Sequence, residues 1–230
     1  MSRSASSDQS RGRILVAATG KGGAGKSTSI ACLAAYWHSK GKRVAMLDAD
    51  PNQTLTRWHA KGSDLSKMTL KTMIDEHEII PTIAELSSRH DVVLVDCAGF
   101  GNQAMIFAIG AADLVIIPSM TDEANIFEAL KTKRVVDSAA QLTRRAIASR
   151  AVLCRVKRSQ VAVHARNQLE TLKVDPLEAQ FNDRVAFQEA SFYGTSVITL
   201  APGGGAAEDV AQVAREIEVL LWPKPARKKH

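Results

Sequence analysis

A short glycine-rich segment near the start of the chain carries the residues best suited to bind phosphate. It is Gly20-Lys21-Gly22-Gly23-Ala24-Gly25-Lys26-Ser27-Thr28 and fits the pattern G-x-x-x-x-G-K-[ST]. Glycines let the backbone curl so that successive N–H groups point at phosphate oxygens, and a helix N-terminus behind them adds about half a positive charge. Lys26 would reach the β- and γ-phosphates, and Ser27 would offer its hydroxyl to Mg²⁺. A strand pattern before the segment and a helix pattern after it favour a phosphate-binding loop over a glycine-rich turn without a ligand.

Three aspartates are placed to act on the same phosphates. Asp48 and Asp50 lie in a D-A-D-P segment at the end of one apolar run, and Asp96 ends another. If both runs are strands of a parallel sheet, their carboxyl ends bring these acids beside the phosphate loop. There, one carboxylate can orient a water for in-line attack while others hold Mg²⁺ through water. A turn in which an aspartate caps the next helix is the competing interpretation for Asp48 and Asp50.

Apolar runs and helical patterns alternate along the chain and predict the elements that position these side chains. Nearly all-apolar strands that alternate with helices are typical of a parallel sheet buried on both faces, with right-handed crossovers. Strands are expected at 14–18, 44–47, 91–96, 113–118 and 151–156, and helices at 27–40, 80–89, 103–110, 122–142, 160–172 and 206–221.

The domain organisation follows from these elements. We expect an α/β fold in one domain, residues 13–222, with a mostly parallel central sheet and helices on both faces. A Ser-rich flexible arm, residues 1–12, precedes it, and a basic tail, residues 223–230, follows.

Composition excludes several classes of protein. The 230 residues suit one sizeable core, and no apolar run approaches the roughly 18 residues of a membrane span. Cys32, Cys97 and Cys154 are too far apart for a disulfide framework or a CxxC metal motif. The first residues lack the apolar region of a secretory signal. We therefore expect a cytoplasmic protein.

Together, these motifs resemble the ParA/MinD family of deviant Walker A ATPases, and most closely the small ParA-type partition ATPases that lack an N-terminal DNA-reading domain. The family's loop is KGGxGK[ST], which this chain matches from Lys21 onwards. The D-x-D-P segment resembles the family's second motif, and Arg184 begins an R-x-x-F block like the family's C-terminal one. The similarity extends from about residue 14 to residue 221. It implies a P-loop fold and an ATP hydrolase that uses Mg²⁺.

The resemblance also implies roles for single residues. Lys21 would reach across a nucleotide-sandwich homodimer to the ATP of the other copy, and it joins Lys26 and Asp50 as the expected catalytic residues. Asp50 would activate the attacking water, whereas Ser27 would bind Mg²⁺, with Asp48 and Asp96 supporting the ion through water. The residues expected to bind ATP are Lys21, Gly22, Gly23, Ala24, Gly25, Lys26, Ser27, Thr28 and, near the adenine, Arg155.

Positive charge is concentrated in one stretch of the chain. The net charge is +6, but residues 144–173 contain eight Lys or Arg residues and one acid, a local charge of +7. Such a stretch can bind the phosphates of duplex DNA without reading bases, although a solvated helix face is the competing interpretation. The family resemblance favours DNA and a place on the nucleoid. The expected DNA-binding residues are Lys157, Arg158, Arg166, Lys173 and Arg184. Arg184 is a candidate for the adenine as well.

The cargo of such an ATPase is left open. The leading hypothesis is an ATP-dependent dimer on non-specific double-stranded DNA, which a ParB-like or other adaptor releases by stimulating hydrolysis, so that plasmid or chromosomal DNA is segregated. Alternatives are an orphan relative that positions a protein cargo, an accessory of T-DNA transfer or conjugation, and a MinD-like membrane switch. The apolar end of the last helix, residues 219–222, is the sequence support for a membrane role. Packing of that helix on the core is the favoured interpretation.

Overall fold

Six parallel strands form the centre of the structure. The computed structural model describes residues 11–99, 103–157 and 159–223. Neighbouring strands are hydrogen-bonded in the order β3-β2-β4-β1-β5-β6, and every pairing between them is parallel. This confirms the predicted α/β fold. The strands are β1 (Arg13–Ala17), β2 (Val44–Ala49), β3 (Thr69–Thr72), β4 (Val92–Cys97), β5 (Leu114–Ser119) and β6 (Ala148–Leu153).

Helices cover both faces of this sheet. Helices α3 to α6 pack on one face, while α1 and α9 pack on the other. A 3-10 helix, Asp64–Lys67, follows α2. The helices are α1 (Lys26–Ser39), α2 (Thr54–His59), α3 (Glu76–Arg89), α4 (Gln103–Ala111), α5 (Glu123–Thr143), α6 (Gln160–Thr171), α7 (Val185–Tyr193), α8 (Val197–Leu200) and α9 (Gly205–Leu221).

Strand β1 shows why the central strands are mostly apolar. Successive side chains of a strand point to opposite faces of its sheet. Leu15 and Ala17 belong to the core shared with α1 and α9, whereas Ile14 and Val16 belong to the core beneath α3 to α6. Both faces are buried, so the four residues that follow Arg13 in this strand are all apolar.

The edges of the sheet differ from the prediction. Strand β3 was not predicted, because four half-exposed residues that pair only with β2 carry no apolar run. Strand β6 lies three residues earlier than predicted. Beyond Leu153 the chain leaves β5 and runs beside an irregular stretch instead, where the Phe181 N–H donates to the Leu153 carbonyl at 2.9 Å and the Val156 N–H donates to the Phe181 carbonyl at 3.1 Å.

Both ends of the predicted domain pack against the rest of the protein. Arg11, assigned to the arm, forms an ion pair of 2.7 Å with Asp113. At the other end, Trp222 packs edge-to-face on Trp37 with 5.8 Å between ring centroids. The buried residues of α9 join the core, which confirms that the last helix packs inward. No helix within the described ranges is both long and apolar enough to cross a bilayer. Residues 1–10 and 224–230 lie outside the described residues.

Candidate functional site: a nucleotide pocket

The predicted phosphate loop joins β1 to α1, and two of its glycines are required by the backbone. Gly23 and Gly25 have φ angles of 76° and 106°, in the left-handed region. A Cβ atom on Gly25 would also lie only 3.2 Å from the Cys154 Sγ. The Ser29 hydroxyl and N–H both donate to the Gly25 carbonyl, at 2.8 and 2.9 Å, and hold the start of α1 in place. The N-terminal residues of α1 therefore form the floor of a cavity.

Lys26 is the lysine of this cavity. Only 8% of the residue is exposed, and its Nζ lies 3.5 Å from the Lys21 carbonyl oxygen, so the side chain folds back along the loop. This hydrogen bond is at the limit of normal length, and a phosphate oxygen would be a stronger partner for the ammonium.

Asp48 and Asp96 lie directly opposite each other on β2 and β4, and both are completely buried. Both oxygens of Asp48 accept hydrogen bonds from the chain itself. One of its oxygens accepts from the Thr56 N–H and hydroxyl, both at 2.8 Å, and the other accepts from the Asp50 N–H at 3.3 Å. Asp48 thus holds the turn between β2 and α2. Its predicted role in supporting a metal through water stays a prediction.

Asp96 is in the opposite situation. Neither of its oxygens has a hydrogen-bond partner of normal geometry among the described residues. Burial raises the pKa of Asp96 to about 7, and the Asp48 and Asp50 charges act in the same direction. The Ser27 hydroxyl and the Lys26 ammonium act against this increase of the pKa. Such an unsatisfied buried carboxylate indicates a polar or cationic ligand beside it.

The residues present fit a magnesium ion. The Ser27 hydroxyl and the Asp96 carboxylate supply the oxygen donors that Mg²⁺ prefers, and Mg²⁺ in proteins usually takes one or two carboxylates together with substrate phosphates. Within the described ranges, no group of three or more His, Cys, Asp or Glu side chains could hold a metal ion. A bound ion would therefore depend on the phosphates of a nucleotide.

The cavity above the loop has a volume of about 420 Å³, in the range of small-molecule sites. Asp50 lines it beside the phosphate loop, and its Oδ1 accepts from the Asn52 N–H at 2.8 Å. Arg155, predicted to lie near the adenine, lines the side away from β2 and has a positive φ of 52°. The structure therefore brings the predicted phosphate, water and base residues to one cavity.

Lys21 does not line this cavity. Its Nζ lies 3.4 Å from an oxygen of Asp122, and 38% of the side chain is exposed. Asp122 also caps α5, accepting from the Asn125 N–H at 3.1 Å. The signature lysine is thus bound at the start of α5 in the single chain. Its predicted action on the ATP of another copy stays a prediction.

The five predicted DNA-binding residues have different surroundings. Arg184 lines the cavity and pairs with Asp209 at 2.8 Å, and Arg166 donates to the backbone carbonyls of residues 177 and 178 and to the Gln180 side chain. Lys157 is 80% exposed and lies 3.5 Å from Asp183, and Lys173 is exposed. Arg158 lies outside the described residues. All five remain predictions as DNA contacts.

The sequence motifs missed two acids of α9 that shape the cavity. Asp209 is 5% exposed and accepts from the Asn182 N–H and side-chain amide, at 3.0 and 2.9 Å. Glu216 accepts from the N–H groups of Glu178 and Ala179, at 3.0 and 2.7 Å. The only sequence signal was at Asp209, an acid that shares one face of the last helix with Ala206 and Val213.

Comparisons with known proteins agree with this geometry. A family model described as VirC1 protein matches residues 13–215. Protein virC1 of Rhizobium radiobacter is 30% identical over 195 residues, covering 82% of this chain and 84% of that protein. Protein ParA of the same organism is 40% identical over 105 residues, but this chain covers only 47% of it. Maintenance of carboxysome distribution protein A of Halothiobacillus neapolitanus is 26% identical over 206 residues, covering 88% of this chain and 95% of that protein.

Solved structures share the fold. Apo McdA from Cyanothece superposes with a TM-score of 0.74 at 18% identity, covering 89% of this chain and 98% of that one. MinD from Pyrococcus horikoshii, complexed with Mg-ADP, superposes with a TM-score of 0.72 at 21% identity, covering 90% and 96%. The family match spans nearly all of the described fold and includes the phosphate loop, both strand-end acids and most of α9. The chain therefore belongs to the VirC1 protein family, within the ParA/MinD-type deviant Walker A ATPases.

Proposed function

We propose that this chain hydrolyses ATP as a nucleotide-sandwich dimer, and that the ATP-bound dimer binds double-stranded DNA without sequence preference. The observation that carries the proposal is Asp96. It is a completely buried carboxylate without a normal hydrogen bond among the described residues, close to the Ser27 hydroxyl and the Lys26 ammonium. A Mg²⁺–nucleotide complex at the phosphate loop would satisfy all three groups.

The chain's own residues would divide the work as follows. Lys26 and the N–H groups at the start of α1 would bind the phosphates, and Asp50 would orient the attacking water at the carboxyl end of β2. Ser27 would bind Mg²⁺ directly and Asp96 through water, and the bound ion would neutralise charge on the β- and γ-phosphate oxygens. Phosphoryl transfer needs mainly positioning and charge stabilisation, which these groups supply.

Lys21 would supply the remaining charge to the other copy. Its position outside the chain's own cavity and its exposed ammonium support an action in trans. In P-loop enzymes, loss of a cation supplied in this way costs about 10³–10⁵ in rate. We therefore expect slow hydrolysis by the single chain and faster hydrolysis once two copies and an adaptor assemble.

Lys21→Ala tests the dimer, with Lys67→Ala as a control at an exposed lysine of the 3-10 helix. Light scattering with ATP should show a dimer for the unchanged chain and the control, and a monomer for Lys21→Ala. Because Lys21→Ala stays monomeric, its rate of hydrolysis should be about 10³-fold lower than that of the dimer of the unchanged chain. Normal dimerisation and normal hydrolysis by Lys21→Ala would overturn the proposal.

DNA binding is supported by the charge of residues 144–173 and by the exposure of Lys157 and Lys173. A dimer would double the phosphate contacts, so ATP would raise the affinity. Fluorescence anisotropy on a random duplex should show tighter binding with ATP than with ADP, with a strong dependence on salt. The double variant Lys157→Ala, Lys173→Ala should weaken binding and reduce that dependence. Equal affinity in both nucleotide states would contradict the switch.

The biological cargo has three candidates. Segregation of plasmid or chromosomal DNA with a ParB-like adaptor is favoured by the similarity to protein ParA. Positioning of a protein cargo is favoured by the similarity to the carboxysome distribution protein, and assistance to T-DNA transfer by the similarity to protein virC1. Imaging of the tagged protein on the nucleoid together with each labelled cargo separates the three.

A MinD-like membrane switch has less support. Trp222 packs on Trp37, and the apolar residues of α9 fill the core, so the helix would have to leave the protein before it could enter a membrane. Flotation with liposomes in the presence of ATP tests this alternative. Co-flotation would favour it.

A further inference from the structure

The side of the cavity opposite the phosphate loop is formed by an irregular stretch, residues 177–184, which we call the wall segment. Its last four residues, 181–184, line the cavity together with Arg155. On one side it pairs with β6, since the Leu177 N–H donates to the Ala151 carbonyl at 2.8 Å. Further backbone hydrogen bonds join residues 181 and 183 to residues 153–156 on that same side. The other side of the segment is held by side chains.

Asp209 makes the largest set of these contacts. Its Oδ1 accepts from the Asn182 side-chain amide at 2.9 Å and from Arg184 at 3.0 Å. Its Oδ2 accepts from the Asn182 N–H at 3.0 Å and from the Arg184 Nε at 2.8 Å. One buried carboxylate therefore fixes two lining positions of the wall segment, on either side of Asp183. The Arg184 pair has the bidentate geometry that specifies orientation as well as distance.

Gly205 offers a second way to move Arg184 without touching Asp209. Gly205 is the first residue of α9, one helical turn before Asp209. A Cβ atom there would lie 2.7 Å from the Arg184 Cζ and would overlap its terminal nitrogen. Gly205 does not have a positive φ, so its backbone would accept alanine. Within the described structure, it is the guanidinium lying over the first turn of α9 that leaves no space for a side chain.

We propose that Asp209 is a positioning residue of the nucleotide site, which acts through Asn182 and Arg184 to hold the wall segment against the nucleoside part of the nucleotide. The inference rests on the proposed function, because it takes the 420 Å³ cavity as the ATP site. The phosphates are bound at the other side of the cavity, by Lys26 and the start of α1. Asp209 therefore contributes to nucleoside affinity and leaves phosphoryl transfer itself unchanged.

Asp209→Asn removes the charge while keeping the size of the side chain. The dissociation constant for a fluorescent ATP analogue should rise about tenfold, the scale of a misplaced binding group. The KM for ATP should rise by the same factor with kcat nearly unchanged, as expected when binding shared by ground state and transition state is lost. Glu208→Gln, at the adjacent exposed position of α9, is the matched control and should change neither value.

Gly205→Ala keeps the test valid if Asp209→Asn fails to fold. Alanine is a better helix former than glycine, so this variant should keep or raise the melting temperature. Its Cβ atom displaces Arg184, and we expect nucleotide affinity to fall about tenfold in a protein of full stability. A double variant, Asp209→Asn with Arg184→Ala, should lose less binding free energy than the sum of the two single losses, because part of the action of Asp209 passes through that arginine.

Inorganic tripolyphosphate is the probe that distinguishes a misplaced wall segment from a general loss of structure in the cavity. It carries no nucleoside, so Asp209→Asn and Gly205→Ala should bind it as the unchanged chain does. An equal loss of affinity for tripolyphosphate and for the ATP analogue would overturn the inference, as would normal ATP affinity in both folded variants. If the unchanged chain bound no ATP analogue, the proposed function would fail first, independently of Asp209.

Discussion

The two sides of the nucleotide pocket are built in different ways. On the phosphate side, the functional groups lie in three short motifs at the ends of β1, β2 and β4, which are neighbours in the sheet. On the nucleoside side, the wall segment is held by Arg166 from α6 and by Asp209 and Glu216 from α9. The phosphate side depends on backbone conformation and strand order. The wall depends on charged contacts between residues far apart in the chain.

This difference predicts which property a substitution on each side of the pocket should alter. A substitution on the phosphate side removes a group that would touch phosphate or metal, and its effect should appear in binding and turnover together. A substitution behind the wall segment moves groups that would contact the nucleoside, so its effect should be smaller and confined to affinity. The predictions below test this division, beginning with the largest effect.

Lys26→Ala should give the largest loss. It removes the only lysine that lines the described cavity, while the fold keeps its other contacts. Removal of one charge-stabilising group typically costs about 10²–10³ in rate, and we expect ATP hydrolysis to fall by about 10³. Steady-state kinetics measure this, with Lys40→Ala at the exposed end of the same helix as control. A loss of less than tenfold would contradict the proposed difference between the two sides of the pocket.

Asp96→Asn should change stability and activity in opposite directions. Burial raises the pKa of Asp96 to about 7, so the ligand-free folded protein binds more protons than the unfolded chain between about pH 4 and pH 7. Its contribution to stability is therefore lost as the pH rises through that window. At pH 8, the neutral amide should raise the free energy of unfolding by about 2–4 kcal/mol, whereas Mg²⁺-dependent hydrolysis should fall.

Urea unfolding of both proteins without nucleotide measures this effect. The same pair at pH 4 is the control: the carboxyl is protonated in the folded protein and only partly ionised in the unfolded chain, so the difference should be small. Equal stability of the two proteins at pH 8 would show that Asp96 is satisfied without a ligand.

The phosphate side was predictable from sequence because its chemistry is local. Gly25 is required by its own φ angle, and Asp48 and Asp96 end strands that are apolar on both faces. The wall segment was not predictable, since its order comes from residues such as Asp209, 27 positions beyond Asn182. The start of β6 was not predictable either, because polar Ser149 and Arg150 interrupt the apolar pattern although they pair with β5.

Short elements were missed for a related reason. Helix α2 has six residues and strand β3 has four, too few for an amphipathic period or an alternation to be visible. Both are held by neighbours instead, as the Thr56 hydroxyl shows: it donates to Asp48 at 2.8 Å and lies 2.7 Å from the Thr72 hydroxyl.

Arg166→Gln should give a moderate effect and decide between two roles. If Arg166 supports the wall segment, the substitution should raise the KM for ATP about threefold and lower the melting temperature by a few degrees. As a DNA contact, it should lower DNA affinity without loss of stability. Arg215→Gln, at an exposed ion pair of α9, is the control. Thermal unfolding and anisotropy on the same samples distinguish these outcomes.

Asp122→Ser should give the smallest effect. Serine keeps the capping of α5 but removes the charge beside Lys21. The pair is exposed, so its release should favour the ATP-dependent dimer less than about fivefold. Sedimentation over a range of protein concentrations measures this change. A larger gain would mean that the single chain restrains its signature lysine more strongly than a surface ion pair can.

The place of Asp209 on the final helix has a consequence for the newly made protein. Folding during synthesis generally proceeds from the N-terminal part of a chain. The phosphate loop leaves the ribosome early, but the carboxylate that anchors Asn182 and Arg184 follows Lys26 by 183 residues. A nascent chain without α9 would have the groups proposed to bind phosphate, but its wall segment would lack the contacts that hold it beside the nucleoside. Full affinity for nucleotide would thus arise only after translation has passed Asp209.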